Sequence, residues 1–338
     1  MAVAAGALRF NSDSQKMELY DGNQWVEIVA SSPDSQTGGA RGVWNGYSSP
    51  VRQNVIQYIT ISTTGNAIDF GDSTLSAGYE KAASASTTRA VWGGNNGPTA
   101  GGDNTIEYVT IASTGNAIDF GDLTQIRRGA AGCSSSTRAL FCAGYTTPGN
   151  VEVNTIDYVT IASTGNAVDF GDRTITAEQG TAISSSTRAV IAGGFVNTPA
   201  TTYNVIDFVT ISTLGNAADF GDLTTSRRIL SSVGNSTRGV FGGGLPPSPA
   251  ADSNILDYVT IATLGNATDF GDLSVLRRNL AGVSSPTRGV FAGGSTPSLT
   301  NVIEYITIMV LGNAIDFGDL LAAAEMNNNG CSNGHGGL

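Results

Sequence analysis

The sequence predicts an all-β fold, a six-bladed β-propeller closed by its own C-terminal strand and preceded by a small β-meander. Three observations lead there. The stretch Ile106-Glu107-Tyr108-Val109-Thr110-Ile111, followed by Gly115-Asn116-Ala117-Ile118-Asp119-Phe120-Gly121-Asp122, recurs with its Phe at Phe70, Phe120, Phe170, Phe220, Phe270 and Phe317. The spacing is 50 residues, shortened to 47 at the last step, and a period this regular marks a propeller or a solenoid. Second, Ile156-Asp157-Tyr158-Val159-Thr160-Ile161 alternates strictly and is rich in β-branched and aromatic residues, while Gly and Asn interrupt any helical pattern. Third, the second, third and fourth strands of the unit appear six times, but no first strand precedes Arg41. The missing one lies at residues 326–334, where Cys331 aligns with Cys133. The end of the sequence therefore completes the first blade and removes the open edges.

Taken in order, Ala7-Leu8-Arg9-Phe10, Lys16-Met17-Glu18-Leu19-Tyr20 and Gln24-Trp25-Val26-Glu27-Ile28 are three alternating runs, separated by the turn residues Asn11-Ser12-Asp13-Ser14 and Asp21-Gly22-Asn23. Three strands are marginal alone, so Phe10, Tyr20 and Trp25 are predicted to be buried against another chain. Leu8-Arg9-Phe10-Asn11, Glu18-Leu19-Tyr20-Asp21-Gly22 and Trp25-Val26-Glu27-Ile28 together resemble a short module found near the ends of tail-fibre and other virion proteins of tailed bacteriophages. The organisation is thus a module over 1–30, a Pro- and Gly-containing linker over 31–39, and the propeller over 40–338.

Within one unit the strands are expected at 129–134, 138–144, 154–162 and 166–173, with Ser163-Thr164-Gly165-Asn166 as a tight turn. The layout Arg277-Arg278, Ala281-Gly282-Val283, Arg288-Gly289-Val290-Phe291-Ala292-Gly293-Gly294, Val302-Ile303-Glu304-Tyr305 and Phe317 resembles the kelch repeat. That family normally places Trp where all six copies here have Phe. The double Gly is also broken at Asn45-Gly46 and Ala143-Gly144. The resemblance implies the fold and leaves function open.

Composition removes several functions. With 17 Lys+Arg against 28 Asp+Glu the net charge is −11, which opposes nucleic-acid binding. No signal segment opens the chain and no run of 18 apolar residues occurs, so no membrane insertion is expected. Cys133, Cys142 and Cys331 are odd in number and lack C-x-x-C spacing, which points to neither zinc nor a disulfide framework. His335 is the only His, so no triad or histidine-bearing metal site can be built in the usual way. The six Asp pairs of the Asp69/Asp72 type offer too few ligands for calcium. No catalytic residue, metal site or cofactor is therefore expected.

The six Phe and their partners Tyr58, Tyr108, Tyr158, Phe208, Tyr258 and Tyr305 read as packing between blades. Arg41, Arg89, Arg138, Arg188, Arg238 and Arg288 are expected to make a repeated ion pair or to bond backbone carbonyls. What varies among the copies is the connection after the second strand. It shares one face with the Arg127-Arg128, Arg227-Arg228 and Arg277-Arg278 pairs, which give way to Glu80-Lys81 and Glu178-Gln179. Tyr47, Arg52, Tyr145, Phe195 and Tyr203 are the aromatic and Arg residues of those connections, and are the predicted ligand-binding set.

The two resemblances together imply a virion structural protein of a tailed phage, located in the virion. Its N-terminal module would join other virion proteins, its propeller would bind a host-surface glycan or protein, and homo-oligomers are expected. Two alternatives stand beside this: a purely architectural head-decoration, tail or collar component, and a glycan hydrolase on the same scaffold, which a symmetry-breaking acid pair in a deep pocket would favour.

Overall fold

The computed structural model describes residues 4, 6–11, 16–27, 40–49, 51–75, 80–97, 102–249 and 251–338; the predicted linker, 31–39, lies outside them. All regular structure among these residues is β. The chain divides into two compact units, Met1–Thr37 and Gly38–Leu338.

The first unit is an antiparallel sheet of Leu8–Asn11, Lys16–Tyr20 and Trp25–Glu27. Asp21 closes its second hairpin by accepting at 2.8 Å from the N–H groups of Asn23 and Gln24. Those bonds hold the Asp21 carboxyl below its ordinary range. Leu8 and Phe10 alternate onto one face of the first strand and are 59% and 62% exposed.

The second unit contains six groups of four antiparallel strands, called sheets 1 to 6 in the order of their second strands, Arg41–Ser49, Arg89–Asn95, Arg138–Thr146, Arg188–Ala192, Arg238–Gly242 and Arg288–Ala292; sheets 2 and 3 are joined where Arg127 and Arg128 pair with Thr146 and Tyr145. Sheet 3 shows the plan: Ala131–Ser134, Arg138–Thr146, Val151–Thr160 and Val168–Asp172. These overlap the predicted positions, but Gly129, at φ 62°, and Ala130 lie outside the first strand, the second runs on to Thr146, the third spans Val151–Thr160 and the fourth is confined to Val168–Asp172. Sheet 1 takes Gly330–Ser332 as its first strand, paired with Arg41–Ser49 in the register Cys331↔Val43. Cys133 faces Leu140 at the corresponding place, so the predicted alignment of Cys331 with Cys133 holds. The three cysteines are free.

Neighbouring sheets are laced together by the same bonds at every junction. Gly165 N–H donates to Phe120 O at 2.8 Å and Ala167 N–H to Asp122 O at 2.7 Å, while Asn166 Oδ1 accepts from Asp122 N–H at 3.1 Å. Arg89 stacks on Tyr108, 4.6 Å to the ring centroid, and donates to Ile161 O of the next sheet at 2.9 Å. Backbone carbonyls, not acids, are thus the partners of this arginine set. Sheet 6 repeats the pattern onto sheet 1: Gly65 to Phe317 O, Ala67 to Asp319 O, Asp319 to Asn66, and Arg288 to Ile61 O. The series of contacts returns to its start. Gly121 is required by the closeness of this lacing, because at φ +147° a Cβ there would lie 2.5 Å from Gly165 O.

The apolar core is correspondingly divided into layers between sheets. Phe120, Val91 and Ile106 of sheet 2 meet Phe141 and Val159 of sheet 3, and Phe317, Ile303 and Val290 of sheet 6 meet Trp44, Ile59 and Ile61 of sheet 1. Each repeated Phe meets its partner ring edge-on, from Tyr58–Phe70 at 5.7 Å to Tyr305–Phe317 at 6.1 Å.

A set of buried ion pairs also joins the sheets. The acid stands at one repeat position: Glu107, Asp157, Asp207, Asp257 and Glu304, all at most 1% exposed. Its cation comes from three different positions. Arg127, Arg227 and Arg277 serve Asp157, Asp257 and Glu304; Arg173 serves Asp207; Lys81 serves Glu107. Burial alone would raise the Glu107 carboxyl, but the Lys81 ammonium and the Ser73 and Thr74 hydroxyls bring it to about 2. At the junction of sheets 6 and 1 both charges are gone together. Gln57 occupies the acid position, Ala324 the Arg position, and Gln57 Oε1 accepts from Leu321 N–H as Asp257 does from Thr224 N–H. A buried carboxylate without a cation is costly, so acid and base are lost as a unit.

Candidate functional site

The predicted ligand-binding residues stand differently from expectation. In sheets 1 and 3 the connection after the second strand is largely strand itself: Arg41–Ser49 runs into Val51–Thr60, and Arg138–Thr146 leads to Val151–Thr160. Tyr47 is therefore no loop residue. It pairs with Gln53, is 7% exposed and belongs to the core layer between sheets 6 and 1. Burial pushes its phenol up. Arg52 and Tyr145 also lie on strands, Phe195 begins a small hairpin of Phe195–Asn197 and Ala200–Thr202, and Tyr203 follows it, its N–H donating to Gly194 O at 2.9 Å.

Three of the five, Arg52, Tyr145 and Phe195, nevertheless fall along one band. Arg52 donates to Asn96 O at 2.8 Å, Asn96 Nδ2 donates to Glu80 Oε2 at 3.3 Å, and Arg128 Nη1 stands 3.7 Å from that same oxygen. Arg128 lies over Tyr145 at 4.9 Å, and Arg228 over Phe195 at 3.9 Å. Between them Asn197 Nδ2 donates to Glu178 Oε1 at 3.2 Å, and its N–H donates to Glu152 at 2.9 Å. The band passes from sheet 1 to sheet 5.

Several of its buried polar atoms have no hydrogen-bond partner among the described residues: Glu178 Oε2, Gln179 Oε1, Arg128 Nε, Thr147 Oγ1 and both amide atoms of Asn95. Such atoms are few in folded proteins and call for a polar partner. Glu178 itself is only 4% exposed. Beside it, Glu80, Gly129, Gln179, Ile229 and Asn279 all hold positive φ and are linked by successive N–H to carbonyl bonds, Gln179 to Gly129, Ile229 to Gln179 and Asn279 to Ile229. A left-handed Ile is strained backbone, of the kind that concentrates at functional positions. The cavity against this run is about 10 Å³, lined by Glu80, Gln179, Asn327 and Asn328, which is room for one water. Asn328 Nδ2 reaches across to Leu230 O at 2.7 Å and Gly180 O at 3.1 Å.

Glu80 is raised to about 7, first by burial and then by Glu178, against the opposing pull of Arg128; Glu178 is raised by burial as well. A carboxyl raised in the folded state contributes stability that is full below its ordinary value of 4.5 and is lost as pH rises through about 7. Glu80→Gln is therefore expected to remove the part of the melting-temperature decline that the parent shows between about pH 5 and pH 8. Thermal denaturation of both proteins across that range checks it; parallel curves would contradict the assignment.

In the sequence Glu80 and Glu178 stand out only as departures from the Arg pairs. Glu152 and Asn197 carried no repeat signal at all. Among the described residues, no group of three or more His, Cys, Asp or Glu is placed to hold a metal ion. In the first unit, Trp25 packs under Arg9 at 4.2 Å and beside Tyr20 at 5.3 Å, while Phe10 is left outward. In comparisons with known proteins, no family model and no curated protein matches the chain.

Proposed function

We propose that this protein is a virion structural protein of a tailed phage, in which a six-bladed kelch-like β-propeller presents its variable face to a host-surface glycan or protein and the N-terminal sheet attaches it to the particle. The propeller reading draws support from the lacing that returns from sheet 6 to sheet 1 and from the cavity lined by the first strands of all six sheets. The exposed Leu8 and Phe10 support the attachment role, since a three-stranded sheet with an uncovered apolar face needs a partner. The observation that carries the binding role is the band from Arg52 to Arg228, where aromatic rings under guanidinium groups stand beside buried polar atoms with unused hydrogen-bonding capacity. That combination suits sugar rings and hydroxyl groups.

Glu80 and Glu178 do break the repeat's symmetry, as a hydrolase would require. The adjoining space of about 10 Å³ admits no sugar ring, which favours surface binding over hydrolysis. The test is the double variant Tyr145→Ala/Phe195→Ala. Both rings are partly exposed, so melting should move by a few degrees at most, while adsorption to host cells should weaken about tenfold or more. Unchanged adsorption would remove the band from the account.

One observation favours the architectural reading. The turns between third and fourth strands carry Leu214, Leu264 and Leu311 in sheets 4 to 6, each more than half exposed, where sheets 1 to 3 have Thr64, Thr114 and Thr164. If Leu214→Thr/Leu264→Thr/Leu311→Thr abolishes incorporation into particles and the Tyr145/Phe195 variant affects nothing, contacts run through that opposite face and the architectural reading replaces receptor binding.

A further inference from the structure

After its strand in sheet 1, the chain turns so that residues 334–338 cross the cavity lined by the six first strands. His335 and Gly336 are part of that lining, and the space left is about 60 Å³, enough for about two waters. The seat is close. A Cβ on Gly336 would lie 2.3 Å from the Asn235 carbonyl, and one on Gly337 would lie 1.8 Å from Ser134 O. His335 ties the stretch to the wall: Nε2 is 2.9 Å from Ala85 O and 3.3 Å from Ser134 Oγ, while Nδ1 is 3.0 Å from Gly337 N.

A carbonyl only accepts and a backbone N–H only donates, so Nε2 carries the proton, Nδ1 is the acceptor and the ring is neutral. A second proton can go only to Nδ1, where it would face the Gly337 N–H and break that bond. Nothing nearby rewards the positive charge. The other titratable groups of the lining are Cys133 and Cys331, both pushed up by their surroundings. The strands from sheets 2, 4, 5 and 6 bring only Ala, Gly, Ser, Val and Ile. Arg41, whose N–H bonds Asn333, directs its guanidinium to Ile111 O. Leu338 adds only a backbone contact within the stretch, its N–H donating to His335 O at 3.3 Å.

We infer that residues 334–338 are a plug, held in place by neutral His335 and released on acidification, which opens the cavity of the first strands to solvent. Burial lowers the imidazole from its ordinary 6.5, partly offset by Ala85 O. A group lowered in the folded state stabilises fully above its ordinary value and loses that contribution as pH falls through the lowered one. The ring is only partly buried, so a proton reaches it before the plug leaves.

The test uses the full chain. Its single His gives one imidazole signal in NMR, and hydrogen exchange of 334–338 reports opening. The imidazole is expected to titrate below 6.5, and opening is expected to increase about tenfold per pH unit across the interval. In His335→Gln, whose amide N–H can still reach Ala85 O, opening should not vary with pH beyond the intrinsic exchange chemistry. Gly337→Ala should open at every pH while exchange in the first strands stays as in the parent. Should the Gln variant not fold, the parent decides: the imidazole and opening midpoints must coincide. A ring that titrates at or above 6.5, opening that ignores pH, or a Gln variant that follows the parent would each overturn the proposal.

Discussion

Deleting residues 326–338 is expected to leave no cooperatively folded second unit. The deletion removes Met326, fully buried between sheets 6 and 1, and the first strand of sheet 1, paired as Gly330↔Trp44, Cys331↔Val43 and Ser332↔Gly42. It also strands buried groups elsewhere. Trp92 Nε1 loses Asn329 O at 2.9 Å, and Asn45 O loses Asn329 Nδ2 at 3.0 Å. Each buried polar group left unsatisfied costs about 1–3 kcal/mol, and burying a residue of Met size contributes about 1.5–3 kcal/mol. Together these approach the roughly 5–15 kcal/mol that holds a typical folded domain together. Circular dichroism of the truncated chain should show no sharp melting transition. A transition at the parent's temperature would mean that the end of the sequence closes nothing.

The second large effect concerns the buried ion pairs. Arg227→Ala should destabilise by about 3–5 kcal/mol, because it leaves a buried carboxylate without its cation. Asp257 is 0% exposed, and Arg227 also donates to Gly243 O and Ile255 O, both at 2.8 Å. The junction of sheets 6 and 1 supplies the rescue, since Gln57 and Ala324 stand there in place of acid and Arg. The double variant Arg227→Ala/Asp257→Gln should therefore be markedly more stable than Arg227→Ala alone. Urea denaturation of parent, single and double variants gives the comparison. Equal loss in single and double variants would show that the Arg227 contacts to backbone, rather than the lost charge balance, set the cost.

The repeat made the sheets legible. Six copies of the Phe, Tyr, Asn and Gly positions mark the same strand, turn and lacing each time, and the absence of a first strand before Arg41 located the partner at Cys331. The ion pairs were hidden because the cation moves. Arg127 is 30 residues before its acid, Arg173 is 34 and Lys81 is 26, so no fixed offset announces one interaction. Tyr47 is not recognisable as a strand residue from the sequence because Gly46 stands where the double Gly of other copies falls, whereas the register merely shifts between Asn45 and Tyr47 and the hairpin continues. His335 stands outside the repeat, and its place in the cavity follows only from the return of the chain to sheet 1.

The most direct measurement is a cryo-EM reconstruction of the assembled particle at a resolution that places this chain. The account predicts the N-terminal sheet against a neighbouring virion protein, covering Leu8 and Phe10, with Tyr145, Phe195 and Arg228 facing outward and uncovered. A map in which that band is buried against another virion component, or in which the Leu214, Leu264 and Leu311 turns rather than the N-terminal sheet make the contacts, would contradict it, as would particles that lack the chain.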